Sequence, residues 1–208
     1  MISQHLEENL IFPENTRIRK VTSTPTPTFE VLQASIEQDE QIQEVFLPGS
    51  AGLVKIVRSD HSKELECICA ALSQASEHSA NDTQKLFISQ YIESFRTGSL
   101  DVYRNSQRTW ITDKNPRVEN IFGFVEPYRD PHGIRAEFEG LVAINDTEET
   151  KALLRIVEHS TQFIRLLPWA NTESSANEGK GPFEKALFER PDFTSLHGMW
   201  TSCNITSL

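Results

Sequence analysis

The chain has 208 residues, of which 38% are apolar and 24% charged, and its formal net charge is −10. This length fits one large domain or one and a half small ones, and the 12 Phe and 3 Trp can build a core. The acidic balance argues against a nucleic-acid partner, and the absence of a long apolar run or of a signal-like amino terminus argues against a membrane and against secretion.

The cysteines support a location in the cytoplasm. Cys67, Cys69 and Cys203 are odd in number, and the first two are too close to bridge easily, so the thiols are predicted to be reduced. A Cys-x-Cys pair could bind metal, but no second pair or nearby histidine completes a set. We therefore interpret Cys67 and Cys69 as small, half-buried helix residues and predict no metal ligand in this chain.

Strands are predicted in the first quarter of the chain, after a Thr/Pro-rich segment at 22–28 that cannot be helical. Alternating and β-branched residues favour strands over 29–36, 41–47 and 53–57.

Three helices are predicted next, because apolar residues recur at spacings of three and four. The first helix follows a cap at Ser59 or Asp60, the second covers 82–95 and ends at a Gly98 C-cap, and the third covers 99–110. Their apolar faces are Leu65, Ile68, Leu72 and Ala75; Leu86, Phe87, Tyr91 and Phe95; and Leu100, Tyr103 and Trp110.

The second half begins with two more predicted strands, 118–126 and 135–144. They flank a turn containing Asp130-Pro131 and Gly133, which favours a hairpin or a close sheet pair. A long helix is predicted over 147–167, with Asp146 and Glu149 as a capping box and Pro168 after its end. The polar segment that follows is typical of a linker.

The densest group of reactive side chains lies at the end of the strand 118–126. It comprises Glu126, Tyr128, Arg129 and Asp130, with Glu137 and Glu139 on the following strand. A carboxylate at such a rim can hold an ammonium group, and a tyrosine hydroxyl can donate to a carbonyl oxygen as charge develops on it. The alternative is structural: Arg129 and Asp130 pair or cap the turn, and Tyr128 is an ordinary half-buried aromatic residue. Taken alone, the residues indicate an α+β protein without recognisable catalytic machinery.

Several long motifs resemble the dipeptidyl peptidase III family, in order and with its spacing. They are FPENTR at 12–17, QYIESF at 90–95, WITDK at 110–114, GFVEPYRDP at 123–131, EFEG at 137–140, LLPW at 166–169 and PDFTSL at 191–196. The resemblance implies a zinc exopeptidase of the cytoplasm that removes dipeptides from the amino terminus of short peptides.

The resemblance also implies two lobes around a wide cleft. One lobe has a β-barrel-like sheet that binds the peptide as an added strand, and the other is helical and carries the zinc. In that α+β architecture, residues 1–28 are an amino-terminal segment and linker, and residues 29–146 belong to the sheet-bearing lobe with three inserted helices. Residues 147–168 form a long helix that crosses to the helical lobe, and residues 169–208 are a linker and a divergent tail.

Two residues acquire roles from the resemblance. The family's peptide-binding glutamate falls on Glu126, which would hold the substrate's ammonium terminus, and its tyrosine falls on Tyr128, which would hydrogen-bond the scissile carbonyl. Arg129 and Asp130 match the motif and are assigned to shaping the turn, whereas His132 replaces an expected aromatic residue.

The zinc-binding motifs of the family are absent from these 208 residues. They are His-Glu-Leu-Leu-Gly-His and a later Glu-Glu-x-x-Ala-Glu, and the segment EETKAL at 148–153 is no substitute, because Leu153 stands where a glutamate is needed. We expect a truncated family member that keeps peptide-binding groups, lacks zinc ligands and the catalytic glutamate, and is inactive alone. The alternative hypothesis is a non-catalytic peptide-binding or regulatory remnant.

Overall fold

The computed structural model describes residues 6, 11–22, 26–39, 43–46, 52–114, 116–168 and 195–203. These residues have a mixed α+β fold with two sheets, in agreement with the predicted class. They divide into two compact units, one within residues 1–113, 120–141 and 200–208 and the other within residues 114–119 and 142–199. The predicted linker after 169 and the PDFT portion of the last family motif lie outside the described residues.

The first sheet has four strands in the order β1-β2-β4-β3. They are β1 (Thr16–Val21), β2 (Thr28–Ala34), β3 (Gln43–Phe46) and β4 (Leu53–Asp60). β2 pairs parallel with β4, and β1 and β3 are antiparallel edge strands. β2, β3 and β4 confirm the predicted strands, whereas β1 escaped prediction because its sequence, TRIRKV, is largely polar, as edge strands often are.

The three predicted helices are present as α1 (Ser62–Glu77), α2 (Asp82–Thr97) and α3 (Leu100–Trp110). Asn81 and Ser99 cap α2 and α3, each accepting a hydrogen bond from the backbone three residues later. Gly98 closes α2 in the left-handed conformation, φ 74°, as its predicted C-cap.

The predicted caps of α1 are wrong. β4 continues through Asp60, so the helix is preceded by His61, whose side chain makes no capping hydrogen bond. The Asp60 carboxylate instead accepts hydrogen bonds from Arg17, with Nε to Oδ2 at 2.7 Å and Nη2 to Oδ1 at 2.8 Å. A carboxylate used in this bidentate ion pair is not available to the helix terminus.

The core of the first unit is an aromatic cluster centred on Tyr91, which is 0% exposed. The rings of Phe87, Tyr103 and Phe122 lie 5.8 to 6.2 Å from its ring, centroid to centroid. The predicted apolar faces hold for most residues, but Leu86 is 51% exposed and Ala75 is also exposed. Both lie at the border of a face, where spacing alone does not decide burial.

The second sheet has the order β5-β6-β7, with β5 (Val118–Glu126), β6 (Glu137–Asp146) and β7 (Ser195–Cys203). The predicted pairing of β5 with β6 is confirmed. β7 was not predicted, because this part of the sequence shows no clear periodicity. Gly123 has a φ of 153°, and a Cβ there would lie 2.5 Å from the Tyr103 ring. A glycine is therefore required where β5 passes this ring.

The second unit contains α4 (Thr147–Glu158) and α5 (Ser160–Arg165). The prediction of one helix over 147–167 is wrong, because the helix ends at His159. The His159 backbone N–H donates to the Ile156 carbonyl, and its ring Nδ1 lies 2.8 Å from the Arg155 carbonyl oxygen, so the last turn closes on itself.

The amino terminus of α4 confirms half of the predicted capping box. Asp146 Oδ1 accepts from the backbone N–H of Glu148 and of Glu149, both at 3.0 Å. The Glu149 carboxylate accepts a hydrogen bond from the Ser195 hydroxyl. The side chain of Glu149 is therefore held by Ser195, the first residue of β7, and not only by its position in the first turn of α4.

The two described cysteine side chains are free thiols on α1, as predicted for the helix. The interpretation of both as half-buried is wrong, because Cys67 is exposed and Cys69 is buried. Burial raises the pKa of Cys69 to about 11. Across the described helices, none is long and apolar enough to cross a membrane.

Candidate functional site

The turn between β5 and β6 carries the candidate site. Glu126 is the last residue of β5, and Glu137 and Glu139 stand at positions one and three of β6. Since alternate residues of a strand point to one face, Glu137 and Glu139 share a face of this sheet. Because β5 and β6 pair, the chain that leaves β5 at Glu126 turns back and enters β6, where Glu139 lies on the neighbouring strand.

Asp130 holds the turn together. Its Oδ2 accepts hydrogen bonds from the backbone N–H of Ile134 at 2.9 Å and of Arg135 at 3.2 Å, and its own carbonyl accepts from Gly133 at 2.9 Å. The bond from Ile134 is the largest cause that lowers the pKa of Asp130, followed among the lowering causes by the bond and charge of Arg135. The interpretation of Asp130 as a turn cap is confirmed.

Replacing Asp130 by Asn should make the stability of the chain less dependent on acid pH. A lowered folded-state pKa stabilises the fold above the ordinary aspartate value of 3.8, and this contribution is lost as pH falls through the lowered pKa. In urea unfolding, the free energy of unfolding of Asp130→Asn should lie further below that of the parent at pH 7 than at about pH 3. A difference that stays constant between the two pH values would contradict this role of Asp130.

Glu126, Tyr128 and Glu139 form a cluster at the rim of the turn. The charge of Glu126 is the main cause that raises the pKa of Tyr128, and the charge of Glu139 adds to it. Burial is the main cause that raises the pKa of Glu139, and the charges of Glu126 and Glu137 contribute. The structure thus brings together the two residues singled out from the sequence and adds Glu139 to them.

The chemistry of this cluster favours a cationic ligand. The negative charges of Glu126 and Glu139 repel each other, so a positive group between the two carboxylates would relieve that repulsion. Tyr128 is 75% exposed, and its hydroxyl is available to a ligand bound beside Glu126. The interpretation of Tyr128 as a half-buried aromatic residue is wrong, because the turn lifts its ring into solvent.

The ion pairs of the turn differ from the predicted structural alternative. Arg129 does not pair with Asp130: its Nε lies 3.3 Å from Glu137 Oε1, while Arg135 Nη1 lies 3.9 Å from Asp130 Oδ1. Each arginine therefore connects one side of the turn with the other. His132 is exposed in the same turn.

A cavity of about 340 Å³ opens beside the turn, lined in part by Arg17 and Ile18 of β1. Sequence reasoning did not connect these residues with the site, although Arg17 lies in the FPENTR motif. Only the fold brings the segment 12–17 to β6, through a hydrogen bond from the Ala136 N–H to the Glu14 carbonyl at 2.9 Å.

The described part of the chain contains no group of three or more His, Cys, Asp or Glu placed to hold a metal ion. Glu126 and Glu139 belong to the cluster at the turn, and among the described residues no histidine is placed with them to complete a metal site. The donor set present does not fit a catalytic zinc, which takes three protein ligands of the His and Glu type.

Comparison with known proteins identifies the family. The profile of Peptidase family M49 matches residues 1–206. Dipeptidyl peptidase 3 of Dictyostelium discoideum is 34% identical over 195 residues, which are 94% of this chain and 26% of that protein. Dipeptidyl peptidase 3 of Homo sapiens is 35% identical over 192 residues, which are 88% of this chain and 24% of that protein.

A solved structure agrees with these sequence comparisons. DPP III from Caldithrix abyssi superposes with a TM-score of 0.50 over 79% of this chain and 26% of that chain, at 20% identity, which shows the likeness of the fold. The chain belongs to Peptidase family M49, and its resemblance to the dipeptidyl peptidase III family is confirmed. It spans about a quarter of the length of these curated relatives.

Proposed function

We propose that this chain forms the peptide-binding wall of a dipeptidyl peptidase of the dipeptidyl peptidase III type. The observation that carries the proposal is the cluster of Glu126, Tyr128 and Glu139 at the end of β5 and on β6. In a member of Peptidase family M49, such a cluster suits the positively charged amino terminus of a short peptide.

Glu126 holds the ammonium group of the peptide in this proposal, and Glu139 adds a second negative charge to the same site. Tyr128 donates its hydroxyl hydrogen to the carbonyl oxygen of the bond to be cleaved, where negative charge develops in the transition state. An ammonium site set back from the tyrosine gives selectivity for peptides with a free amino terminus.

Zinc would polarise the carbonyl and activate a water molecule, with a glutamate as base. No His-Glu-x-x-x-His motif occurs in these 208 residues, and the described side chains offer no zinc site. We therefore propose that the 208 residues alone bind peptides without hydrolysing them, and that the metal centre of the full peptidase is built from other residues.

The proposal includes an architecture. Residues 29–146 belong to the sheet-bearing lobe of a two-lobed peptidase, after a segment 1–28, and residues 147–168 lead towards the helical lobe, followed by a linker and tail over 169–208. Free thiols at Cys67 and Cys69 favour a cytoplasmic location for this protein.

A second candidate function is a non-catalytic peptide-binding or regulatory module, for which the charges of Glu126 and Glu139 would suffice without a metal. The two candidates differ in what the gene encodes. An open reading frame that continues into a His-Glu-x-x-x-His motif supports the peptidase, and a transcript that ends after Leu208 supports the module.

The test uses one peptide in two forms, a pentapeptide with a free amino terminus and the same peptide acetylated. The purified chain should bind the free form roughly tenfold or more tightly, since a charge-assisted contact is lost on acetylation. The chain should also contain no stoichiometric zinc and release no dipeptide. Equal affinity for both forms would overturn the ammonium site. Zinc-dependent release of dipeptide above background would overturn the proposal that these 208 residues alone bind peptides without hydrolysing them.

A further inference from the structure

The cavity beside the β5–β6 turn contains groups of both charges. Six of the side chains that line it are Arg17, Ile18, Arg129, Pro131, Arg135 and Glu137. Its volume of about 340 Å³ lies at the lower end of the range of small-molecule sites, roughly 300–1,000 Å³. It suits a ligand of a few residues or fewer.

Glu137 presents a buried acceptor to this cavity. Its side chain is only 5% exposed, and Oε1 accepts no hydrogen bond within the described part of the chain, although Arg129 Nε lies 3.3 Å away. A buried carboxylate without a hydrogen-bond partner is costly, and ligand donors commonly satisfy such groups. An ammonium group in the cavity would satisfy Glu137.

The arginines present donors to the same cavity. Arg135 Nε is buried and donates no hydrogen bond to any described residue, and Nη1 is 3.9 Å from Asp130, beyond hydrogen-bond distance. The side chain of Arg129 is 61% exposed and can turn towards a ligand. Arg17, in contrast, is held by Asp60. A carboxylate in the cavity would accept hydrogen bonds from Arg129 and Arg135.

Glu137 and Arg135 both already have an ion-pair partner: Arg129 Nε lies 3.3 Å from Glu137 Oε1, and Asp130, which also lines the cavity, lies 3.9 Å from Arg135 Nη1. The atoms left without a hydrogen bond to the described residues are Glu137 Oε1, which needs a donor, and Arg135 Nε, which needs an acceptor. A ligand with a single charge would satisfy only one of these two atoms. A dipeptide with free termini carries both a donor group and an acceptor group, and a cavity of about 340 Å³ has room for it.

We propose that this cavity binds a zwitterionic dipeptide, with its ammonium group on Glu137 and its carboxylate on Arg129 and Arg135. The side chains of the dipeptide contact Ile18 and Pro131. This site is separate from the ammonium site at Glu126. Its interpretation as a site for the product of the reaction rests on the proposed peptidase function, whereas the binding itself does not.

The binding experiment uses L-alanyl-L-alanine and the full 208-residue chain, titrated by calorimetry. N-acetyl-alanyl-alanine and alanyl-alanine amide, which each lack one charge, should bind roughly tenfold or more weakly than the zwitterion. Free L-alanine, with its charges closer together, should also bind more weakly. Equal affinity for the acetylated form would show an anion site, and equal affinity for L-alanine would show an amino-acid site; either result overturns the proposal.

Variants place the ligand in the cavity. Arg129→Gln should weaken dipeptide binding roughly tenfold, while Arg108→Gln on exposed α3 should leave it unchanged. Glu137→Gln should weaken it similarly, with exposed Glu64→Gln as the matched control. If the buried Glu137 variant does not fold, exposed Arg129 still decides the test, and an unaltered affinity in Arg129→Gln overturns the proposal.

Glu126→Gln separates this inference from the proposed function. Alanyl-alanine also carries the free amino terminus that Glu126 is proposed to hold, so the parent chain should bind two dipeptides. Glu126→Gln should keep the dipeptide of the cavity, with its affinity within about twofold, while losing the other dipeptide and weakening the binding of the free pentapeptide. Loss of all dipeptide binding in Glu126→Gln would place the dipeptide at Glu126 alone and overturn the second site. Dipeptide binding without any preference for free pentapeptides would retain the cavity site and overturn only the ammonium site at Glu126.

Discussion

Replacing Glu126 by Gln is expected to weaken the binding of a free-amino-terminus peptide by roughly tenfold to hundredfold. Hydrogen bonds to charged groups contribute roughly 1.5–3 kcal/mol, and each 1.4 kcal/mol is about a tenfold change in affinity. Gln keeps the size of the side chain and removes its charge. The loss therefore reports the attraction between the carboxylate and the ammonium group rather than a change in packing.

The measurement is calorimetric titration of free and acetylated pentapeptide into the parent chain and Glu126→Gln. The variant should lose the preference for the free form, and the exposed Glu66→Gln on α1 should retain it as a matched change of charge. Tyr128→Phe should alter the affinity for the ammonium group little, because its hydroxyl is proposed to act on the carbonyl. An undiminished preference for the free peptide in Glu126→Gln would remove Glu126 from the site.

Replacing Tyr91 by Ala is expected to destabilise the chain by roughly 3–5 kcal/mol, as for other large aromatic side chains removed from a core. Tyr91 is fully buried among four further rings, and its hydroxyl accepts a hydrogen bond from Gln107 Nε2 at 2.9 Å. The substitution leaves a cavity where α2, α3 and β5 meet. Since a domain's whole stability is roughly 5–15 kcal/mol, the variant should be partly unfolded under mild conditions.

Urea unfolding followed by circular dichroism measures this effect. Leu86→Ala is the matched control on the same helix, and its cost should stay within roughly 0.5 kcal/mol because that side chain is half exposed. Tyr91→Phe removes only the hydroxyl and should cost about 1 kcal/mol. Similar losses for Leu86→Ala and Tyr91→Ala would contradict the position of this core.

Much of the fold could be predicted from the sequence because its signals are local. The spacing of Phe87, Tyr91 and Phe95 defines one face of α2, and Asn81 and Gly98 mark its two ends. The turn residues between β5 and β6 likewise fix a sheet pair. In each case, neighbouring residues contain the physical information that selects the structure.

The elements that escaped prediction depend on distant residues. β1 is a strand because β2 offers it backbone partners, with Thr16 opposite Gln33 and Val21 opposite Thr28. The helix after β6 ends at His159 although its apolar spacing continues, since ring and backbone contacts close its last turn. Periodicity does not contain such contacts.

The candidate site divides in the same way. The sequence by itself determined the family and placed Glu126 and Tyr128 at a strand end, because long motifs and turn chemistry are readable without coordinates. Only the tertiary structure brought Glu139 to Glu126 and set Arg129 against Glu137, since strand pairing joins residues that are distant in the chain. It also formed the cavity beside the turn, because the hydrogen bond between Ala136 and Glu14 brings Arg17 and Glu137 to one space.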